Sequence, residues 1–565
     1  MVKTVEVVKT MEVEIEGQTV IVTATPEPQQ PGDTPAVLRI NLETYPDIID
    51  PQRSSFANEI AHLQMIYEGL TRLDEKLETV PGAAESWEYN ADATELTFTL
   101  RSGLKYSDGS LLNAKRFEYA ILRNINPETA GEYAQITDDI AGAAEWRSAD
   151  PAAADYDAEA LKANVKVQAL DAAGAPCADY EQADCLTLKI GLTHPAPYFH
   201  TVMSLWVTYP AKEEGITEGG DNWWNSSKYQ VGNGPFVLQR LEPFVVGYFV
   251  PNANYWRGAP SYDLEYSYVT DSAISFEAYR NNEFDIITFA AEDLGTIDAD
   301  PTLSAEKRVY PGSCTFSLDF NLAKEPFNDK KVREAFTYAL DRQGWVTDVL
   351  KGVGSPTLTW IPQGFPGYKE GETRWGFDPE QAKQAIAESS YGSIEALPEV
   401  VATFGDTPRN RTRWEWLAAK WREVLGIDVV LNPVEPTTFT ALTKDPTTSP
   451  QMYILGWCAD YPDPQNWLSV YWYSESEFAK DLGYTSEQFD TLTRQADSTV
   501  DAAQRMDMYA QAQDLLTDDL PAAFMWNNVN HYLVKPWIIG YVETPMDSGW
   551  PGQVDPLTIQ VGPVQ

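Results

Sequence analysis

The run Gly456-Trp457-Cys458-Ala459-Asp460-Tyr461 follows the strand-like Met452 to Leu455 and is stopped by Pro462-Asp463-Pro464. A strand that reaches a glycine, a tryptophan and an acid and then meets two prolines presents side chains at a rim instead of continuing a sheet. Upstream, Trp414, Leu417, Ala418, Trp421 and Leu425 recur at helical spacing, Gly426 stops them, and Ile427 to Leu431 reads as a strand. Asp378-Pro379 caps and opens another helix with Ala382, Ala385 and Ile386 inward, and Val332, Ala335, Phe336, Ala339 and Leu340 mark a third. Strand and helix alternate from Cys314 onward, which predicts an α/β lobe.

The first half is built differently. Val37 to Leu42 alternates as a strand, as do Leu96, Phe98 and Leu100, and an Asp108-Gly109 turn leads to Asn113, placed to cap a helix whose Phe117, Ala120 and Ile121 share a face. Residues 141 to 164 are rich in Ala, Asp and Glu and read as surface helix and loop. Four cysteines permit three pairings, or none if they are buried thiols; Cys177 and Cys185 flank a short polar loop where a local bridge is natural.

The chain of 565 residues carries 84 acidic and 41 basic side chains, a formal net charge of -43, which opposes binding to nucleic acid or to anionic membranes. No run approaches the roughly 18 apolar residues of a membrane span. His62, His194, His200 and His531 share no ligand spacing, and His-Glu-x-x-His, Gly-x-Ser-x-Gly and nucleotide-loop patterns are absent; Val231-Gly232-Asn233-Gly234-Pro235-Phe236 is a turn into a strand. No metal, cofactor or catalytic residue is expected. Val2 to Val7 and its near copy Val8 to Val13 space their charges too closely for a signal peptide, whereas Val22 to Pro35 has the proline-rich polar composition of a tether. The expectation is a chain numbered after a removed leader, with a cytosolic chain as the alternative.

The segment 456–461 closely resembles the ligand-facing segment of the bacterial extracellular solute-binding proteins of family 5, the oligopeptide-binding proteins of ABC importers. Asp50 through Glu68-Gly69-Leu70, the block Arg101 to Gly109, Asn252 to Trp256, Arg280 to Ile286 and Val534-Lys535-Pro536-Trp537 are similar to further parts of that family, so the resemblance runs from about Leu38 to Tyr541. It implies an α/β fold of the periplasmic-binding-protein type II-like kind, two lobes with a hinge plus an extra α/β subdomain. The implied division is 1–35 as an unstructured tether, 36–67, 206–313 and 532–565 as the core of lobe I, 68–205 as its extra subdomain, and 314–531 as lobe II, with hinges near 310–316 and 528–535.

The same resemblance implies the site. Asp460 would pair with the α-amino group of a peptide lying as a strand between Gly456, Trp457, Cys458 and Ala459 on one side and Ser55, Phe56 and Ala57 on the other, with Tyr133 lining the cleft. It also implies a Cys314–Cys458 disulfide, and two bridges point to an oxidising compartment. Implied partners are an oligopeptide and the transmembrane subunits of an ABC permease, and the protein would act as an extracytoplasmic, lipid-anchored monomer whose anchor cysteine is absent from this sequence. Where some members carry arginines before the glycine, this chain has Gln451, Met452, Tyr453 and Ile454, and Pro436 replaces a tryptophan expected after Glu435. Those departures argue against a fixed peptide length and C-terminal recognition. Two competitors remain: the same fold binding oligosaccharides or another small solute, and an extracellular hydrolase.

Overall fold

In the computed structural model, residues 10–15, 18–23, 36–546 and 555–563 are described. Thr10–Ile15 pairs antiparallel with Gln18–Thr23. Part of the segment expected as an unstructured tether is therefore strand, as its alternating β-branched residues favour; the rest of 1–35, most of the proline-rich run included, lies outside the described residues.

The main sheet is assembled from both halves of the chain. Its strands are β1 (Ala36–Asn41), followed after helix α1 (Ala57–Ile66) by β2 (Phe236–Glu242), β3 (Val246–Pro251), β4 (Tyr262–Ser267) and β5 (Ile286–Thr288). Next come β6 (Lys307–Phe320), β7 (Val401–Gly405), helix α2 (Pro408–Leu425), β8 (Val430–Val434), β9 (Met452–Cys458), helix α3 (Pro464–Trp472) and β10 (Ala522–Val534). In space they run β2-β3-β4-β1-β5-β10-β6-β9-β7-β8, with Ser355–Pro356 added against β10. β4, β1 and β5 are parallel neighbours, as are β9, β7 and β8; the β5-β10-β6-β9 stretch between them is antiparallel.

β6 and β10 are the long members, of 14 and 13 residues, and they pair along both of their halves. Pairing slips by one residue between Phe316 and Ser317, which oppose Trp526 and Phe524, and is interrupted more widely in the middle: Pro311 opposes Val529 and Thr315 opposes Asn527, so four steps on β6 match two on β10. A bulge of this kind leaves backbone groups without ladder partners. Asn528 fills part of the gap, its Oδ1 accepting the Cys314 N–H at 2.7 Å. Apolar packing divides at the same place. One cluster gathers Leu38, Ile66, Phe98, Phe249 and Tyr310, while two others coat opposite faces of β6 and β9, with Phe320, Trp414 and Trp421 on one face and Trp360, Tyr453 and Trp467 on the other.

A separate four-stranded antiparallel sheet, ordered Ala84–Tyr89, Glu95–Leu100, Thr187–Gly191, Val167–Leu170, packs on the helix Ala114–Ile125, whose Phe117, Ala120 and Ile121 are fully buried. Cys177 and Cys185 are bridged in the loop between its last two strands in the chain. The Asn113 side chain does not cap the helix. Its Nδ2 donates to the Asp179 and Gln182 carbonyls at 3.2 and 3.1 Å, which fixes the amide against that loop and leaves its Oδ1 off the helix N–H groups.

One buried acid ties the ends of the chain to the sheet. The fully buried Asp285 carboxylate accepts from Arg39 N–H and guanidinium at 2.7 to 3.0 Å and from Trp537 Nε1 at 2.8 Å, joining β1, β5 and the segment after β10. Removing one partner of a buried pair strands the other. Asp285→Ala is expected to lower unfolding stability by about 3–5 kcal/mol in urea titration, whereas Asp428→Ala, which breaks the exposed pair with Arg422, should cost under about 1 kcal/mol.

Candidate functional site

β9 does not end at Gly456 but continues through Trp457 to Cys458, held on one side by β6 in the register Phe316–Gly456, Thr315–Trp457, Cys314–Cys458. Cys314 and Cys458 form a disulfide across this pair, with 144 residues between them in sequence. On its other side β9 touches β7 only at Met452. Beyond that residue no strand covers it among the described residues. Its hydrogen-bonding parity follows from the two ends: the Gln451 carbonyl accepts from Asn321 N–H and the Ala459 N–H donates to the Ser313 carbonyl. In an antiparallel ladder alternate residues face the same neighbour. Odd residues therefore serve β6, and the N–H and C=O groups of Ile454, Gly456 and Cys458 point to the open edge.

Side chains on β9 divide the same way. Trp457 packs behind the sheet against Tyr471 and Phe478, and its Nε1 donates to Asn466 Oδ1 at 3.2 Å. It buttresses the strand. Gly456 sits over the Phe316 ring, where a Cβ would come within 2.5 Å of ring carbon; only glycine allows that approach.

Asp460 follows two residues past the strand. Its Oδ2 accepts from Asn466 Nδ2 at 3.0 Å, its N–H donates to Asn466 Oδ1 at 3.1 Å, and the Tyr133 hydroxyl donates to its carboxylate. Burial pushes the Asp460 carboxyl up to about 6 against the opposing pull of those two donors. Tyr133 leans on Trp206, and its neighbour Glu132 accepts from the Ser55 hydroxyl at 2.5 Å. Asp460 is thus linked to Tyr133, 327 residues earlier in sequence, and through the adjacent Glu132 to Ser55, 405 residues earlier.

The Ser55–Ala57 segment is not the free strand edge expected of it. Ala57 is the first residue of α1, and the Ser55 and Phe56 N–H groups both donate to the Glu59 carboxylate, at 2.8 and 3.0 Å. This is a capping arrangement, and it consumes the donors that a peptide would need. Phe56 itself is 61% exposed. It lines, with Ala57, Glu43, Cys314 and Cys458, a cleft of about 550 Å³ between α1 and the disulfide. Of the expected site residues, Cys458, Phe56 and Ala57 line this cleft, Asp460, Tyr133 and Ser55 form the polar cluster beside it, and Trp457 faces away. A larger groove of about 1080 Å³ is lined only by residues before 225, Trp146 and Trp224 among them, and does not reach β9.

Two contributors escaped the sequence reading. Asn466 projects from the first turn of α3, whose start at Asp463-Pro464 is legible as a cap followed by proline, but nothing in the sequence aims that side chain back at Asp460. Glu59 carries a signal that was available, an acid at the third helical position. Across the rim, Tyr461 is buried in the first cluster and stacks on Tyr198 at 6.5 Å, beside the Arg505–Asp463 pair.

The family model for bacterial extracellular solute-binding proteins, family 5 Middle, matches residues 78–478. The periplasmic oligopeptide-binding protein OppA of Escherichia coli (strain K12) is 27% identical over 513 residues, covering 88% of this chain and 89% of the relative. The probable deoxycholate-binding periplasmic protein YgiS of the same organism is 26% identical, covering 92% and 94%. Among solved structures, the unliganded open form of the periplasmic murein tripeptide-binding protein MppA of Escherichia coli superposes with a TM-score of 0.78 at 23% identity, covering 94% of this chain and 99% of that one. The fold is the two-lobed, type II-like one of these binding proteins.

The hydrogen bond from Tyr133 favours the ionised form of Asp460. Tyr133→Phe is expected to move the Asp460 titration above 6, read by carboxyl NMR; an unchanged midpoint would remove Tyr133 from the cluster.

Proposed function

Because this chain belongs to the bacterial extracellular solute-binding proteins of family 5, we propose that it captures oligopeptides between its two lobes and hands them to the transmembrane subunits of an ABC importer. It is a binding protein and not an enzyme. The observation that carries the peptide reading is the open edge of β9 running toward Asp460. Backbone groups of Ile454, Gly456 and Cys458 suit an added strand of any sequence, and a carboxylate at its end suits the ammonium that every unblocked peptide carries. The peptide pairs with β9 alone; on the other wall Phe56 and Ala57 supply surface, since the donors of Ser55 and Phe56 are taken.

The proposed division takes 36–67, 206–313 and 532–565 as the core of lobe I, 68–205 as its subdomain and 314–531 as lobe II. It is supported by the change of apolar cluster at the β6–β10 bulge. Closure about that bulge would bring Phe56 toward Cys458 and exclude water around the peptide, which a ligand touching both lobes favours. One copy of the chain supplies both walls, in keeping with a monomer. Two disulfides suit work outside the cytoplasmic membrane, with a lipid anchor ahead of the proline-rich stretch as the means of retention.

A second reading keeps the fold and changes the solute. The similarity to a protein named for deoxycholate binding favours it, and an oligosaccharide belongs to the same class of ligand without an ammonium. Dependence on Asp460 separates the readings.

Asp460→Ala should weaken peptide binding by about 2–5 kcal/mol in calorimetry, and unchanged affinity would sink the amine assignment. The pH profile gives an independent check. In the free protein Asp460 takes up its proton near 6, and pairing with an ammonium lowers that value in the complex, so binding below pH 6 must expel a proton. Affinity should be flat from about pH 6 to the amine titration near 8 and fall on either side, by up to about tenfold per pH unit on the acid side.

A further inference from the structure

Outside the cleft the two lobes exchange side chains. Tyr461 is, among the described residues, the only member of the first apolar cluster drawn from 314–531. The third cluster, built on Trp360, Phe365 and Trp467, returns the exchange: its only buried members from outside 314–531 are Met546, from the segment after β10, and Leu77. Leu77 reaches it from the subdomain. None of the three lines the cleft.

Leu77 is unusual for its place. It belongs to the tip, 74–78, of the hairpin that pairs Thr71–Leu73 with Thr79–Pro81. Its neighbours Glu75, Lys76 and Glu78 are exposed, whereas Leu77 is 3% exposed. Its φ is 61°, in the left-handed region that a turn ordinarily gives to glycine or asparagine. A leucine held in that conformation is strained, and burial in the opposite lobe is what offsets the strain. The contact has no polar component. Asp74 Oδ1 accepts from the Lys76 and Glu78 N–H groups at 2.9 and 2.8 Å, and the Asp74 carbonyl accepts from Leu77 N–H at 3.0 Å; among the described residues no hydrogen bond or ion pair runs from 74–78 to lobe II. Such a contact parts without leaving a buried donor or acceptor stranded.

Lobe II is therefore held at three places: the β6–β10 bulge, Tyr461 and Leu77. The subdomain does not travel with lobe II. It shares the first apolar cluster with the core of lobe I and is pinned there by the Arg123 pair with the fully buried Asp50 at 2.6 Å. A rigid body held at three points turns about two of them only when the third lets go. The bulge and Tyr461 lie close together, because the disulfide joins Cys314 in the bulge to Cys458, just before Tyr461. Leu77 is left as the contact that closure breaks.

We propose that Leu77 is a latch between the subdomain and lobe II, which holds the cleft open until a ligand that touches both lobes outweighs its burial. It is a positioning residue. It touches no ligand and acts through the closed fraction of the free protein, which scales the apparent affinity of anything that binds the closed form alone.

The inference rests on lobe closure as proposed above, and its test has an arm that needs no peptide. Leu77→Gly suits a φ of 61° and removes only the side chain, and Leu77→Asn, which also tolerates that conformation, is the second variant. In calorimetry with tri- to hexa-alanine, both should bind about 10- to 100-fold more tightly than the unaltered protein. A side chain with a merely structural role would leave the affinity unchanged or lower it, and either result in both variants overturns the latch. Single-molecule fluorescence transfer between dyes at Ser227→Cys and Glu423→Cys, exposed positions on lobe I and lobe II, reads the closed fraction of the ligand-free protein. That fraction should rise in the variants by the same factor. If no alanine peptide binds, the peptide reading fails while this arm still judges the latch, and an unchanged closed fraction overturns it.

Discussion

The structure depends on one pair of strands. β6 and β10 are paired at both ends and interrupted most widely between Pro311 and Thr315, with a one-residue slip just beyond it at Phe316–Ser317, so the two halves of the sheet are continuous in hydrogen bonding and articulated over one short stretch. Everything proposed for the ligand lies around that interruption. Cys314 is in it, and Gly456 and Cys458 are fastened to β6 immediately beyond it. A covalent bond between Cys314 and Cys458 means that β9 cannot shift against β6 without carrying the bulge along.

Elements that rest on local chemistry were legible in the sequence. Gly426 ends α2 in a left-handed conformation at φ 76°, and Asp378 caps the helix beginning at Pro379. The helices after Asp329 and Asp501 likewise start from capping acids. Misreadings arose where tertiary partners outbid local ones. Asn113 turned to distant carbonyls, and Ser55 and Phe56 were drawn into a cap by Glu59 in place of an extended edge. Ile427 to Leu431 pairs only from Val430, as β8, because its register is dictated by β7.

The candidate site was legible in part, and the reason is geometric. Residues 456–461 are contiguous, so their pattern survives in one dimension. Asn466 reaches the site from a separate element, and no spacing in the sequence joins it to Asp460.

Tyr461 adds a mechanical asymmetry. It leaves β9 with the second half of the chain, yet it is buried in the core of the first and stacked on Tyr198. The acid just before it is therefore moored to both halves. In the peptide reading proposed above, such a cleft behaves like a ruler with its zero mark pinned at Asp460, and ligands of different length would share that one origin.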